Sequence, residues 1–183
     1  MNILRNYYKK IIRYDLLNKF DYSHLEAIPE LKKIVLNVGC KTLELKSFAS
    51  IFLSLELIVK KQGLFTKARR SSIFLKVRKG SPTGCSIILR RNEMYEFLLK
   101  LLTNVFPNSK DFQGINISNR LEKTNLSFTI KDLSSFKELE RQFYLFSKLP
   151  PLNITLLANT KSKKELLYLL RSLKFPIIQA VVT

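Results

Sequence analysis

Residues 31–38 alternate strictly, with Ile34, Leu36 and Val38 on one side and Lys33, Val35 and Asn37 on the other. That period of two predicts a half-buried strand, stopped at Gly39. The pattern recurs at 125–131, where Leu126, Phe128 and Ile130 oppose Ser127 and Thr129, and further strands are predicted at 85–90 and 153–158. Shorter extended runs cover 64–68 and 74–78, with a terminal one at 177–182. Elsewhere the spacing is helical. Tyr8, Ile11, Ile12, Leu16 and Phe20 share one face near the amino terminus, and 43–62 reads as a long helix with Gly63 at its C-terminal cap. Met94, Leu98, Leu101, Leu102 and Val105 line a helix over 92–106, and another covers 136–146. Ser162 and Glu165 have capping-box spacing, starting a helix whose buried stripe is Leu166, Leu169, Leu170 and Leu173. Residues 111–124 show no period, 80–84 form a turn cluster, and Pro150-Pro151 breaks the chain.

Strands and helices intermix, which predicts one α+β domain over 1–183: a mixed, mostly antiparallel sheet with helices on one face. The other face of the sheet then carries Lys33, Asn37, Ser86, Arg90, Ser127, Thr129, Asn153 and Thr155. Such a face is ordinarily just solvated.

Charge changes that reading. The chain has 32 Lys and Arg against 14 Asp and Glu, a formal net charge of +18. Self-repulsion of that size disfavours the free monomer, so a polyanion is the expected partner. The charge concentrates at 60–91, a projecting strand-loop-strand with Lys60, Lys61, Lys67, Arg69, Arg70, Lys76, Arg78, Lys79, Arg90 and Arg91 and no acid between them. Interleaved apolar residues (Leu64, Phe65, Ile73, Phe74, Leu75, Val77) mark it as part of a folded body. Next to it the polar sheet face becomes a candidate nucleic-acid platform. Asn, Ser and Thr bond phosphates, sugars and bases there, and Lys and Arg supply charge. For Phe74, the only aromatic at the loop tip, the bland reading is that it anchors the loop to the body.

Other chemistries are poorly served. There is one histidine, His24, which reads as a loop residue. Cys40 and Cys85 have no metal or redox spacing and are expected as free thiols in a reducing compartment. With no Gly-rich phosphate loop and no obvious acid/base pair, neither an enzyme nor a cofactor is expected; Asp111 and Glu93 read as loop and helix-start residues. The most apolar helix candidate, 43–61, is interrupted by charges, and its uncharged run, 47–55, is far short of the ~20 residues of a membrane span. A general RNA-binding module with aromatic-rich strands is the rival reading, but these strands expose Lys, Asn, Ser and Thr.

The motifs also carry a resemblance. Thr66-Lys67-Ala68-Arg69-Arg70-Ser71, Lys76-Val77-Arg78-Lys79-Gly80, Pro82, Gly84-Cys85, Leu89-Arg90 and Glu93-Met94-Tyr95-Glu96-Phe97-Leu98 resemble the signature of the ribosomal protein L-five family. Further blocks follow the family's order, among them Lys33 to Gly39, Asp111-Phe112-Gln113-Gly114 and Asn153-Ile154-Thr155. The resemblance implies a structural protein of the large-subunit central protuberance that binds 5S rRNA and adjacent large-subunit rRNA. It implies that Asn37 and Arg90 lie on the RNA-facing sheet and that Gln62, Thr66, Lys67, Arg69, Arg78 and Gly80 belong to the strand and loop motifs; with the basic residues Lys33, Arg70, Lys76, Lys79 and Arg91 of the charge reading, these make up the expected rRNA contacts. A tip of Ser71, Ser72, Ile73, Phe74 and Leu75 would face peptidyl-site tRNA, and a small-subunit head protein would be met in an intersubunit bridge.

The chain departs from the family pattern in places. Gln62 lies one residue nearer Thr66, Ile88 stands where Thr is usual, and Ser72-Ile73-Phe74 replaces a small, Gly-containing tip. Residues 119–124 lack the family's glycines, and Pro150-Pro151 replaces Arg-Gly. Richness in Lys, Ile, Asn, Leu, Phe and Ser fits an AT-rich genome, and a mature helix beginning almost at Met1 fits synthesis in the compartment of use. A mitochondrial-matrix protein is therefore expected, with bacterial cytoplasm or plastid as the runner-up.

Overall fold

The computed structural model describes residues 3–40, 45–74, 77–109, 112–116, 121–140, 142–146 and 149–178. Residues 3–19 form helix α1, in which Ile3–Tyr7 and Arg13–Lys19 are joined through a π-turn, Tyr8–Ile12. Leu4, Tyr8, Ile12 and Leu16 are buried at a strict four-residue interval, while Ile11, expected in the core, is 46% exposed. A four-residue interval drifts around a regular α-helix; the wider π-turn takes up that drift and keeps the four side chains in line. Phe20 is extended and already outside the helix.

The chain continues through β1 (Leu31–Gly39), α2 (Leu45–Val59), β2 (Leu64–Lys67), β3 (Pro82–Leu89) and α3, residues 91–108 with a second π-turn at Leu101–Val105. Then come β4 (Ile115–Asn116), β5 (Asn125–Ile130), α4 (Lys137–Glu140), α5 (Phe143–Phe146), β6 (Leu152–Ala158), α6 (Lys163–Ser172) and β7 (Ile177–Ile178). The class is α+β, as the pattern predicts. Five strands form one sheet in the order β2-β3-β1-β6-β5. β2 runs antiparallel to β3. β5 and β6 are antiparallel too, because the pairs Ser127–Thr155 and Thr129–Asn153 step in opposite directions along the two strands. β4 and β7 make a separate parallel pair of two residues each, too short to show a period.

The chain packs as two compact units, and the long strands run through both. The first comprises Met1–Ile34, Leu89–Phe128 and Thr155–Thr183. Here α1 and α3 meet through Tyr8 and Tyr95, ring centroids 6.5 Å apart, and the buried Tyr8 hydroxyl donates to the Pro29 carbonyl at 2.8 Å. Phe106, Phe128 and Phe175 pack ring against ring. The α6 stripe of Leu166, Leu169, Leu170 and Leu173 is buried as predicted. Ser162 Oγ accepts from the Glu165 N–H at 3.3 Å. The Glu165 carboxylate accepts from the Lys161 N–H at 3.0 Å, one residue before the cap position.

The second unit is Val35–Ile88 with Thr129–Ile154. Helix α2 buries Phe48, Ile51, Leu55 and Ile58, and Phe52 stacks on Phe65 of β2 at 4.6 Å. The helix ends with Lys60 in the left-handed region, φ 59°, so Gly63 is not its cap. Gly63 is needed for closeness instead: a Cβ there would lie 2.8 Å from Cys85 Sγ and 3.2 Å from the Phe52 ring. In the 80–84 cluster only Gly80, φ +88°, has a turn conformation; Pro82–Gly84 already belong to β3. The helix expected over 136–146 is the two short helices α4 and α5.

Candidate nucleic-acid interface

The basic segment is one long hairpin. β2 pairs with β3 as Leu64 with Ser86, Phe65 with Cys85 and Thr66 with Gly84, and a bulge after Thr66 moves the register to Lys67 with Pro82. A bulge bends and twists a ribbon, and the shifted register then persists beyond the sheet. The Ala68 N–H donates to the Ser81 carbonyl at 2.9 Å, and Ser72 and Val77 exchange two backbone bonds of 2.9 and 3.0 Å. That rung closes a four-residue tip that begins Ile73-Phe74. Of the extended run expected at 74–78, Val77 is paired and Phe74 lies in the turn; Leu75 and Lys76 lie outside the described residues.

Cations line this ribbon. Lys67, Arg69, Arg70, Arg78 and Lys79 are exposed along it, as is Gln62 before its root. At the tip Ile73 is 94% and Phe74 99% exposed, which rules out the bland reading of Phe74 as an anchor to the body. At the helical end, Phe52, Glu56, Lys60, Lys61 and Gln62 line an open groove of about 450 Å³. Glu56 is held there by the Gly63 N–H, at 3.3 Å from Oε1. Sequence reasoning missed Phe52 and Glu56 as neighbours of Gln62. Their signal is the i, i+4 spacing that sets both on the side of α2 facing the chain's return.

The second unit's part of the sheet face is polar as predicted. Asn37, Thr129 and Asn153 are exposed, and Ser86 and Thr66 are half-buried. Thr129 Oγ1 donates to Asn153 Oδ1 at 2.8 Å, which fixes the Asn153 amide with its NH₂ still able to donate. Leu64, 67% exposed, and Ile88, 38% exposed, add apolar spots that the period-two reading did not single out. Within the first unit, Lys33 and Thr155 are half-buried, Ser127 is exposed, and Ser127 and Thr155 share a hydroxyl–hydroxyl bond of 3.1 Å. Arg90 and Arg91 are both exposed there, Arg90 extended and Arg91 left-handed at φ 52° as it opens α3.

The chemistry of this surface is that of binding. Burial, then the nearby Glu56 carboxylate and Cys40, push the Cys85 thiol up to about 11, and burial raises Cys40 as well. Both are free thiols, and Cys85 behaves as a small hydrophobe with no nucleophilic character at neutral pH. Among the described residues, no group of three His, Cys, Asp or Glu is placed to hold a metal ion, and no helix is long and apolar enough to cross a membrane.

Comparison with known proteins gives one consistent answer. A model of the C-terminus of the ribosomal L-five protein family matches residues 82–177. The chain is 38% identical to the large ribosomal subunit protein uL5m of Reclinomonas americana, over 97% of this chain and 98% of that one. It is 35% identical to uL5 of Wolbachia pipientis subsp. Culex pipiens (95% and 98% covered) and 34% identical to uL5 of Nitrosomonas europaea (94% and 97%). The matches run nearly end to end and take in the hairpin, the sheet and α6 alike, so the chain belongs to the ribosomal L-five family, whose members are structural and non-enzymatic.

Proposed function

We propose that this chain is a structural constituent of the large ribosomal subunit that binds 5S rRNA and the adjacent large-subunit rRNA in the central protuberance. The observation that carries this reading is the acid-free cationic hairpin rooted in a sheet face of Asn, Ser and Thr. Lys67, Arg69, Arg70, Arg78 and Lys79 set the charge along the ribbon, and Lys76 of the same sequence segment belongs to the binding set. Asn37, Gln62 and Thr66 supply directed hydrogen bonds at its root, and Lys33, Arg90 and Arg91 extend the set. The tip, Ser71, Ser72, Ile73, Phe74 and Leu75, faces peptidyl-site tRNA, and a small-subunit head protein is met in an intersubunit bridge. Near-complete coverage of the uL5 relatives supports reading 1–183 as one functional domain.

The compartment is the mitochondrial matrix, within the mitoribosome. The likeness to a uL5m supports it; the bacterial relatives keep bacterial cytoplasm or a plastid as the alternative. A general RNA-binding module outside the ribosome is the second reading, favoured by the same charge.

One experiment separates them. The tagged chain is pulled from its own cells at moderate salt, the bound RNA is sequenced and the complex is run on a sucrose gradient. Co-sedimentation with the large subunit, with 5S rRNA or its large-rRNA neighbour enriched, is expected. Free migration with mixed RNA or none would overturn the ribosomal reading.

A further inference from the structure

We propose that Phe74, backed by Ile73, is a stacking wedge for an unpaired nucleobase of the bound RNA, an inference that rests on the RNA-binding reading above. Both side chains stand almost wholly in solvent, at 99% and 94% exposure. Burial of a Phe side chain is favourable, and almost none of that gain is realised by Phe74 at 99% exposure. The arrangement is built: the Ser72–Val77 rung closes the backbone immediately behind the tip, so the pair is presented outward at little cost in chain ordering.

The neighbours identify the partner. Arg69 and Arg70 precede the tip on one arm, Arg78 and Lys79 follow it on the other, and all four are exposed. A partner must therefore offer anionic groups on both flanks and a flat apolar surface between them. An unstacked base on a phosphate backbone offers both. A fully paired duplex has the phosphates but keeps its base faces covered. A protein pocket would take Phe74 and leave the flanking cations without anions. An anionic bilayer would engage only the tip, whereas hydrogen-bonding residues and cations continue from the tip to Thr66 and Asn37 at the root.

The test uses the purified full chain and two RNA probes of equal nucleotide number, one a stem with an unpaired loop, the other fully paired. Phe74→Ala should bind the looped probe about tenfold or more weakly, leave the paired probe unchanged and keep the same salt dependence. Phe74→Trp should restore looped-probe affinity. The side chain is 99% exposed, so thermal unfolding of both variants should match the parent's. Equal looped-probe affinity of Phe74→Ala and the parent, with Arg69→Ala/Arg70→Ala still weakened, would overturn the wedge and leave the RNA-binding reading standing. Failure of the parent to bind either probe would sink both. Binding to phosphatidylserine vesicles that depends on Phe74, without discrimination between the probes, would reassign the tip to a membrane.

Discussion

The Val38 carbonyl closes over Gly84 so tightly that a Cβ on that glycine would lie 2.5 Å from its oxygen, with Thr66 Oγ1 at 3.0 Å. The carbonyl is backbone and cannot turn aside as a side chain would. Gly84→Ala should therefore push β3 away from β1 and cost about 2 kcal/mol or more. Gly39→Ala is the control, because among the described residues a Cβ there would meet nothing within 4 Å, and it should be neutral or slightly stabilising. Urea midpoints measure both; equal midpoints would mean the close approach is not there.

Helix α6 should depend on its first turn. Ser162→Ala removes the acceptor of the Glu165 N–H and should cost about 1 kcal/mol, read as a lowered melting temperature. Glu165→Ala removes the separate bond to the Lys161 N–H and should lower it further in the double variant. Full additivity would show that the two bonds act independently.

Alkaline pH should loosen the second unit. The folded Cys85 thiol keeps its proton up to about pH 11, against an ordinary value of 9.0. Between those values the unfolded state binds fewer protons than the folded one, so stability falls as pH rises through the window and is constant below it. Cys85→Ala should flatten the fall in urea midpoint from pH 9 to 11. At neutral pH iodoacetamide should label the half-buried Cys40 well before the buried Cys85. Tyr22, pushed up to about 12 by burial and then by Glu165, should add a further fall above pH 10.

Salt should report the hairpin. If six to ten phosphates are contacted, log K falls against log salt with a slope of about −5 to −9. Arg69→Ala/Arg70→Ala should weaken binding and reduce that slope by about two. An unchanged slope would remove both arginines from the interface.

Much of this is legible along the chain, for identifiable reasons. Strands such as 125–130 declare themselves because one face is buried, and a two-residue period survives any tertiary context. The stripe at Leu166, Leu169, Leu170 and Leu173 is read just as directly. The cationic, acid-free run also needs no structure to be seen. Ile11 reads as core because regular helical spacing carries no mark of a π-turn. Gly63 reads as a cap because glycine follows helices for two different reasons, backbone freedom and absence of a side chain, and only packing against Cys85 and Phe52 separates them. The bland reading of Phe74 as an anchor rests on an aromatic being usually buried; the Ser72–Val77 rung that holds it out is a backbone contact, which side-chain identities do not encode.

The π-turns have a consequence for ancestry. Each holds one residue more than the α-turn it replaces, so α1 and α3 each conceal what amounts to an insertion within an unbroken helix. A homologue with a plain helix over 3–19 would be one residue shorter there. Laid alongside without a gap, it could match Leu4 or Leu16 to their counterparts but never both. Changes in chain length, usually sought in loops, can thus be stored inside the helices of this protein, where a comparison made position by position would pass over them.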